Sequence, residues 1–573
     1  MNRIVLLAIA FVWSVPLSIE IAAAEPSPTQ QPPTPQVAAD LKRDLAGYWP
    51  LAGDARDHSG HGQHATIRGP VDLTAAGPGD RPGTAAAFNG RDAFLEIPAS
   101  QDIAVASGDF SISTWVLCDD TGDDVPGDLL SQYDPARRRG FHLTLKTSAG
   151  VTTNQANYRH LQFGIDNDRQ APWTDCGRPG SAILAFALAA HDGSLYAGTC
   201  EPGEKDSGRV YRYGGEQKWI DCGSPTPANS ITALAVHDGA LYAASGQYRL
   251  GGSALEESKN ANTGGRVYRF AGGTEWVDCG QLPGVEAVGG LAVFRGRLYA
   301  SSLYRPAGFF RYDGGTKWSD CGTPGKRVEA LGVYNGFLYA TSYDEGHVFR
   351  YDGTSWTDCG QLGEAQANTQ TYSFAVHAGR LFVGTWRTGR VYRFEDVNRW
   401  TDAGRLGEEL EVMGMLVHNG RLIAGTLPLA KVYQYAGGTD WRQMARLDHT
   451  PDVTYRRAWT MAELGSRVFV STLPSGRVYS YQAGQTASWN TSFPTGWRHV
   501  AAVKHKGHLR LYVDGRQVGE SESFDAAGYD LTSDAPLRIG LGSSDYFAGR
   551  LSQLRLYRRA LNSSEVGQLA EKK

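Results

Sequence analysis

The sequence predicts an all-β chain in which a β-sandwich is interrupted by a seven-bladed β-propeller. Three observations lead there. The pattern Trp-x-Asp-Cys-Gly recurs at Trp173, Trp219, Trp276, Trp318 and Trp356, then decays to Trp400-Thr-Asp-Ala-Gly and Trp441-Arg-Gln-Met. Successive tryptophans are 46, 57, 42, 38, 44 and 41 residues apart, and a period of roughly 40 belongs to propeller blades and related arrays. On both sides of the repeat lie runs with the two-residue alternation of strands, such as Phe110-Ser-Ile112-Ser-Thr114 and Leu509-Arg-Leu511-Tyr-Val513. With 70 Gly and 11% aromatics in 573 residues, the composition is that of a turn-rich β protein too long for a single core.

The N-terminus reads as a targeting segment. Arg3 precedes the apolar run Ile4 to Val15, and Ala22-Ala23-Ala24 sets a cut at Ala24/Glu25, so residues 1–24 are expected to be a signal peptide and the chain exported. A Pro-rich linker follows over 25–43, and no later apolar run is long enough to span a membrane. A net charge of -4 with 20% charged residues gives no support to nucleic acid as a partner. Seven cysteines in an exported chain invite disulfides, and the odd number leaves one over. Cys176, Cys222, Cys279, Cys321 and Cys359 hold the same place in different repeats, too far apart to pair, and read as small buried hydrophobes. That leaves Cys118 and Cys200, which can pair only if the two domains meet there.

Ahead of the repeat stand Gly47-Tyr48-Trp49-Pro50-Leu51, Phe88-Asn89-Gly90, Phe94-Leu95-Glu96-Ile97-Pro98 and Gly108-Asp-Phe110-Ser-Ile112-Ser-Thr-Trp115. After it come Gly496-Trp497-Arg-His499-Val500, Leu511-Tyr-Val513-Asp514-Gly515 and Phe547-Ala-Gly549-Arg-Leu551. In combination these motifs resemble the laminin G-like, concanavalin A-type lectin/glucanase jelly roll, over about 44–166 and 486–570. The resemblance implies one sandwich split into two parts, 44–168 and 486–573, with a propeller inserted over 169–485. It also implies binding of glycans or proteins, in some members with calcium. Asp54 and Asp57 would be the nearest oxygen donors, while Ser552-Gln553 stands where such domains often carry an acid. No cofactor is otherwise expected.

Each repeat reads as four short strands. In the second, Ile231 opens the inner strand, Ala240 the next after an Asp238-Gly239 turn, Gly265-Arg-Val-Tyr-Arg the third and Trp276 the outer. The third-strand motif occurs seven times, beginning at Gly208, Gly265, Gly308, His347, Gly389, Lys431 and Gly476. Trp173 precedes any inner strand, so residues 172–176 are expected to supply the outer strand of the last blade and close the ring. A closed ring also brings the insert's two ends together, as an insertion requires.

Second-to-third strand connections lie on the face that usually carries a propeller's site. There, four consecutive blades place an aromatic beside a charge: Tyr248-Arg249, Tyr304-Arg305, Tyr343-Asp344 (followed by Glu345) and Trp386-Arg387. Flat rings and forked guanidinium donors suit an acidic glycan or a peptide. Glu256 and Glu257 lie in the long blade-2 loop, whereas His191 and His237 belong to the opposite face. No Gly-x-Ser-x-Gly, His-Glu-x-x-His or phosphate-binding loop is present. The expected function is non-catalytic recognition of an extracellular glycan or cell-surface protein. The alternatives are a polysaccharide-degrading glycosidase or lyase acting on the same face, and a structural surface protein.

Overall fold

A computed structural model of the chain describes residues 41–118, 126–147, 160–169 and 171–571. The expected signal peptide and most of the expected linker fall outside them, and of the first 43 residues only a turn at 41–43 is described. From Asp44 onward the chain forms one unit. It is all-β, with a single short helix, Ser563–Leu569, among the described residues, started by a capping box between Asn562 and Glu565. None of the described helices is long and apolar enough to cross a membrane.

The sandwich consists of two antiparallel sheets. In the first, Phe110–Cys118 lies between Ala548–Tyr557 and Arg498–His505, so a strand from the early part of the chain is paired on both sides by late ones. In the second, Leu537–Ile539 sits between Phe94–Ile97 and Gly127–Asp134. Neither part of the chain can complete a sheet alone. The alternation read from Phe110 onward works as expected. Phe110, Ile112 and Val116 point into the core between the sheets, where Phe110 packs on Phe141 (5.0 Å) and Phe163 (5.6 Å). Ser111 and Ser113 face outward to the Arg559 carbonyl and to His499.

Seven four-stranded sheets make the ring. The last consists of Arg457–Leu464, Arg467–Leu473 and Val478–Gln482, with Thr174–Asp175 paired on its outer edge, Thr174 opposite Ser480 and Asp175 opposite Tyr479. The ring is therefore closed by the strand that contains the first tryptophan repeat. Directly after the ring, Gln485–Trp489 pairs with His160–Asn167, Gln485 opposite Ile165, so the chain leaves and rejoins the sandwich on adjacent strands.

The repeated motif is now explained residue by residue. The Trp219, Trp276, Trp318, Trp400 and Trp441 indoles donate to the carbonyl at the cysteine position of the preceding blade's outer strand, at 2.8–2.9 Å. Each motif aspartate accepts from the amide of the following glycine, as Asp278 does from Gly280 at 2.8 Å. In the blades whose third strand supplies an arginine there, the aspartate's other oxygen pairs with it, as in Arg266–Asp278 and Arg390–Asp402, both 2.5 Å, while His347 takes Asp358 in the fourth blade. Cys176, Cys222, Cys279 and Cys359 are buried in the slots between blades, and Cys321 is half-buried. None of the seven cysteines forms a disulfide. Cys118 and Cys200 do not meet: Cys118 ends a sandwich strand with its sulfur 3.9 Å from the Ala548 carbonyl, whereas Cys200 lies in the upper core of the ring.

The lower face of the propeller sits on the second sandwich sheet. Most of its tight turns carry two successive positive-φ residues, and two of these, Ala378-Gly379 and Asn419-Gly420, press against the sandwich. A Cβ on Gly379 would lie 2.4 Å from the Tyr546 ring and one on Gly420 2.5 Å from Tyr133. Buried charges then fix the register. Arg421 grips Asp166 with two bonds, 2.7 and 2.8 Å, and reaches Tyr481 at 3.0 Å. Glu463 receives Lys146 (3.0 Å), Gln162 (3.2 Å), His160 (3.4 Å) and His418 (2.6 Å), while Lys146 also donates to the Val417 carbonyl. Burial alone would raise the Glu463 carboxyl, but Lys146, His160 and His418 outweigh it and hold it well below its ordinary value.

Removing one member of such a buried pair strands the other. Arg421→Met is expected to lower stability by about 3–5 kcal/mol, and adding Asp166→Leu to restore most of it, as read by denaturant titration. Acid acts on the same interface. Burial pushes His142 down to about 3 and His377, held 2.9 Å from the Ser543 carbonyl, to about 4. Both are neutral when folded, so their contribution is complete above pH ~6.5 and is lost as pH falls toward those values, by up to about 1.4 kcal/mol per unit for each histidine. The melting temperature should fall between about pH 6.5 and 4.5, and His142→Asn should flatten that slope.

Candidate functional site

The four aromatic–charged pairs do share one place. Tyr248, Tyr304, Tyr343 and Trp386 all belong to a single apolar cluster at the upper end of the central channel, which every blade helps to build. The pairs split by role: the rings turn inward and the charges outward. Tyr248 and Tyr304 are only 9% and 7% exposed, walls rather than open stacking surfaces. Tyr248 packs edge-on against Phe186 (4.8 Å) and Trp459 (5.9 Å). Tyr343 and Trp386 remain half-buried, while Arg249, Arg305 and Arg387 are exposed.

Most rim charges are spent on one another. Arg249 stacks on Tyr304 (4.4 Å) and pairs with Glu286 (2.9 Å). Asp344 is shared by Arg327 (2.9 Å) and Arg305 (3.1 Å), and Glu345 takes Lys326 at 3.0 Å. Among the described residues Arg387 pairs with no carboxylate. The excess of positive charge that would favour an acidic ligand is therefore smaller than the four loops suggest on their own.

Part of the mouth is covered. The blade-2 loop makes a short turn, Leu250–Ser253, whose Leu250 and Gly251 amides are both held by Glu257 at 2.8 Å. Its Ser253 hydroxyl joins Tyr248 (2.8 Å) to Arg457 of the last blade, so the loop reaches across the channel. Glu257 thus holds a cap. Tyr343, Trp386 and Tyr455 keep part of their rings in solvent on the uncovered side, with Trp386 meeting Tyr455 at 90° and 6.1 Å.

Beneath them lies a group that loop reading alone misses. Glu411 and Arg457 open the inner strands of blades 6 and 7, Gln370 that of blade 5, and Glu329 stands just ahead of Leu331–Tyr334 in blade 4. The matching positions in blades 1 to 3 are Leu184, Ser230 and Val288. Comparing inner-strand starts would have exposed the group: ionisable residues enter a ring of positions that are otherwise apolar or small. Glu329 is 2% exposed and Glu411 1%. Arg457 lies 3.7 Å from Glu411, and Tyr372 donates to Gln370 at 2.6 Å beside them. Burial, then the neighbouring Glu411, pushes the Glu329 carboxyl up to about 8 against the pull of Arg457 and Arg327, so it holds a proton at neutral pH. Burial also raises Glu411, opposed by Arg457 and Tyr372.

The other oxygen donors singled out in the sequence lie in the sandwich. Asp57 accepts from the Tyr48, Ser59 and Gln63 amides and the Ser59 hydroxyl, at 2.8–3.0 Å. Asp54 accepts from the Arg56 amide and faces His58 at 3.6 Å. Both organise the turn that follows the first strand. Among the described residues no three His, Cys, Asp or Glu side chains gather as a metal set.

Comparison with known proteins bears on the sandwich. Residues 444–567 match the family described as the concanavalin A-like lectin/glucanases superfamily. The sandwich is of this type, a framework suited to carbohydrate or protein binding. The match begins inside the last blades and leaves out the sandwich strands before the ring. No curated protein matches the chain in sequence. Among solved structures, virginiamycin B lyase from Staphylococcus aureus is similar at 10% identity, over 54% of this chain and 99% of that one, with a TM-score of 0.42. The WD40 propeller domain of Doa1 is similar at 11%, over 54% and 97%, with a TM-score of 0.39.

The Glu329 titration is testable by itself. Its folded-state value lies above the unfolded one, so its contribution is complete below pH ~4.3 and is lost as pH rises through about 8. Glu329→Gln should therefore gain in melting temperature over the parent between about pH 5 and 8 and hold that gain above it. An unchanged difference across this range would show that the carboxyl is not buried as described.

Proposed function

We propose that the chain is an exported recognition protein that binds an extracellular glycan or a surface protein at the open side of the propeller's upper mouth. The observation that carries this reading is the convergence of the blade 2–5 pairs on one mouth, with half-exposed Tyr343, Trp386 and Tyr455 next to the Arg305 and Arg387 guanidinium groups. Such a surface stacks on a sugar ring or an apolar side chain while donating to hydroxyls and carboxylates around it. The lower propeller face and the polar face of the second sandwich sheet cover each other, which leaves the upper face as the ring's broad exposed surface. The concanavalin A-like sandwich is in keeping with a binding role.

A second reading, a polysaccharide-degrading enzyme, is favoured by one observation: Glu329 carries a proton beside Glu411, as a general acid beside a carboxylate would. A glycan and peptide array followed by product analysis separates the two. Binding without turnover is expected, weakened at least about tenfold by Trp386→Ala as one stacking ring is lost. Turnover abolished by Glu329→Gln would establish the enzyme instead, and no binding on either array would sink both.

A further inference from the structure

At the head of the channel two buried carboxyls, Glu329 and Glu411, face one buried guanidinium, Arg457, so both acids can ionise together only if a further positive charge joins them. Their hydrogen-bonding capacity is also unmet. Glu329 Oε2 and both oxygens of Glu411 accept no hydrogen bond, and Arg457 Nε donates none. Buried polar atoms are rarely left so, because each has given up its hydrogen bonds to water without replacement. Around Glu463, by contrast, both carboxyl oxygens are served by donors. Three idle acceptors at one point are a place prepared for a donor that the chain does not supply, and a cationic donor is the kind that lets both carboxyls ionise with the cluster still neutral.

The surroundings define its shape. Tyr343 meets Tyr372 edge-on at 5.8 Å, and Trp459 and Trp386 belong to the same cluster, so the walls are aromatic rings, whose faces attract a cation. A hard metal ion needs six or more oxygens, and two carboxyls among rings do not provide them. The acids are buried, and the cluster members that reach solvent near them are Tyr343 and Trp386. A slender chain can pass between two rings more readily than a sugar ring can.

We propose that the head of the channel binds the primary ammonium group of an unbranched aliphatic amine, of the kind carried by a lysyl side chain or a free diamine, with Glu329 and Glu411 accepting its protons. The inference rests on the recognition reading, since it names what the mouth receives at its deepest point. Glu329 is faced by Glu411, Arg457, Arg327 and the tyrosines Tyr304 and Tyr343, and without a ligand it holds the proton that keeps the cluster neutral. An arriving ammonium group takes over that role, so the proton leaves.

Calorimetry on the whole chain at about pH 7, in two buffers of different ionisation enthalpy, tests this with cadaverine and with Nα-acetyl-L-lysinamide. The expected result is saturable binding of one amine with release of about one proton, no binding of doubly acetylated cadaverine, and affinity at least about tenfold lower in Glu329→Gln. The tighter of the two amines identifies the source as a lysyl side chain or a free diamine. Glu411→Gln provides a second variant, and melting curves verify that both fold. No saturation by about 10 mM of either amine, undiminished affinity in both variants, or equal binding of glucosamine overturns the proposal. Absent amine binding with glycan or protein binding still sensitive to Trp386→Ala overturns it alone and leaves the recognition reading standing.

Discussion

Thr174 and Asp175 pair with Ser480 and Tyr479, and through those few backbone bonds the last blade acquires its outer strand. The rest of the architecture follows from that closure. It sets the start of the ring, at Thr174, beside its end, at Ser480, so the chain can leave the sandwich after Asn167 and return at Gln485 on the neighbouring strand. It protects the sheet edges that an open array would leave at its ends. It also holds the lower turns of blades 5 to 7 on one plane, where Gly379, Gly420 and Glu463 can all reach the sandwich. The Arg421–Asp166 and Glu463 networks fix a docking that the ring geometry has already made possible.

Much of this was legible in the sequence because repetition makes small signals add. One Trp-x-Asp-Cys-Gly would be ambiguous, but seven tryptophans at a near-constant step define blades, and the displaced first copy at Trp173 predicts the closure. The split sandwich was legible through motif order on either side of the repeat. The site was legible only in part. Tyr248, Tyr304, Tyr343 and Trp386 do converge, but loop reading cannot tell whether a ring faces solvent or core, and two of the four are walls. Glu329, Glu411 and Arg457 were hidden because they lie within strands, where a single charged residue among apolar ones looks like an outward-facing side chain. In a propeller the first residues of inner strands face the axis, and that is a property of the ring rather than of local sequence. Cys118 and Cys200, which could pair only if the two domains met there, stay apart because the domains meet through the lower turns and not at the upper end of blade 1.

The molecule places its buried charge in two ways. Around Glu463 every oxygen has donors, from both bodies, and the carboxyl is held ionised. At the channel head the carboxyls lack donors and Glu329 is held protonated. The same residue type and similar burial give opposite charge states, decided by how many hydrogen-bond donors the fold brings within reach. A fully served network fixes one arrangement of two bodies; an underserved one stays responsive to what enters from outside.

The nested order of the two folds also sets a timetable. Phe110–Cys118 needs Arg498–His505 and Ala548–Tyr557 as partners, and 331 residues separate Asn167 from Arg498. At about 5–20 residues per second, a ribosome takes roughly 15–65 s to cover that distance. Throughout that interval the first half of the sandwich has emerged with both sheets incomplete and the strand Phe110–Cys118 unpaired on both edges, while the ring can assemble blade by blade from local hairpins. The inserted fold is therefore ready before the fold that contains it, and the finished ring, by bringing its two ends together, delivers the second half of the sandwich to the first.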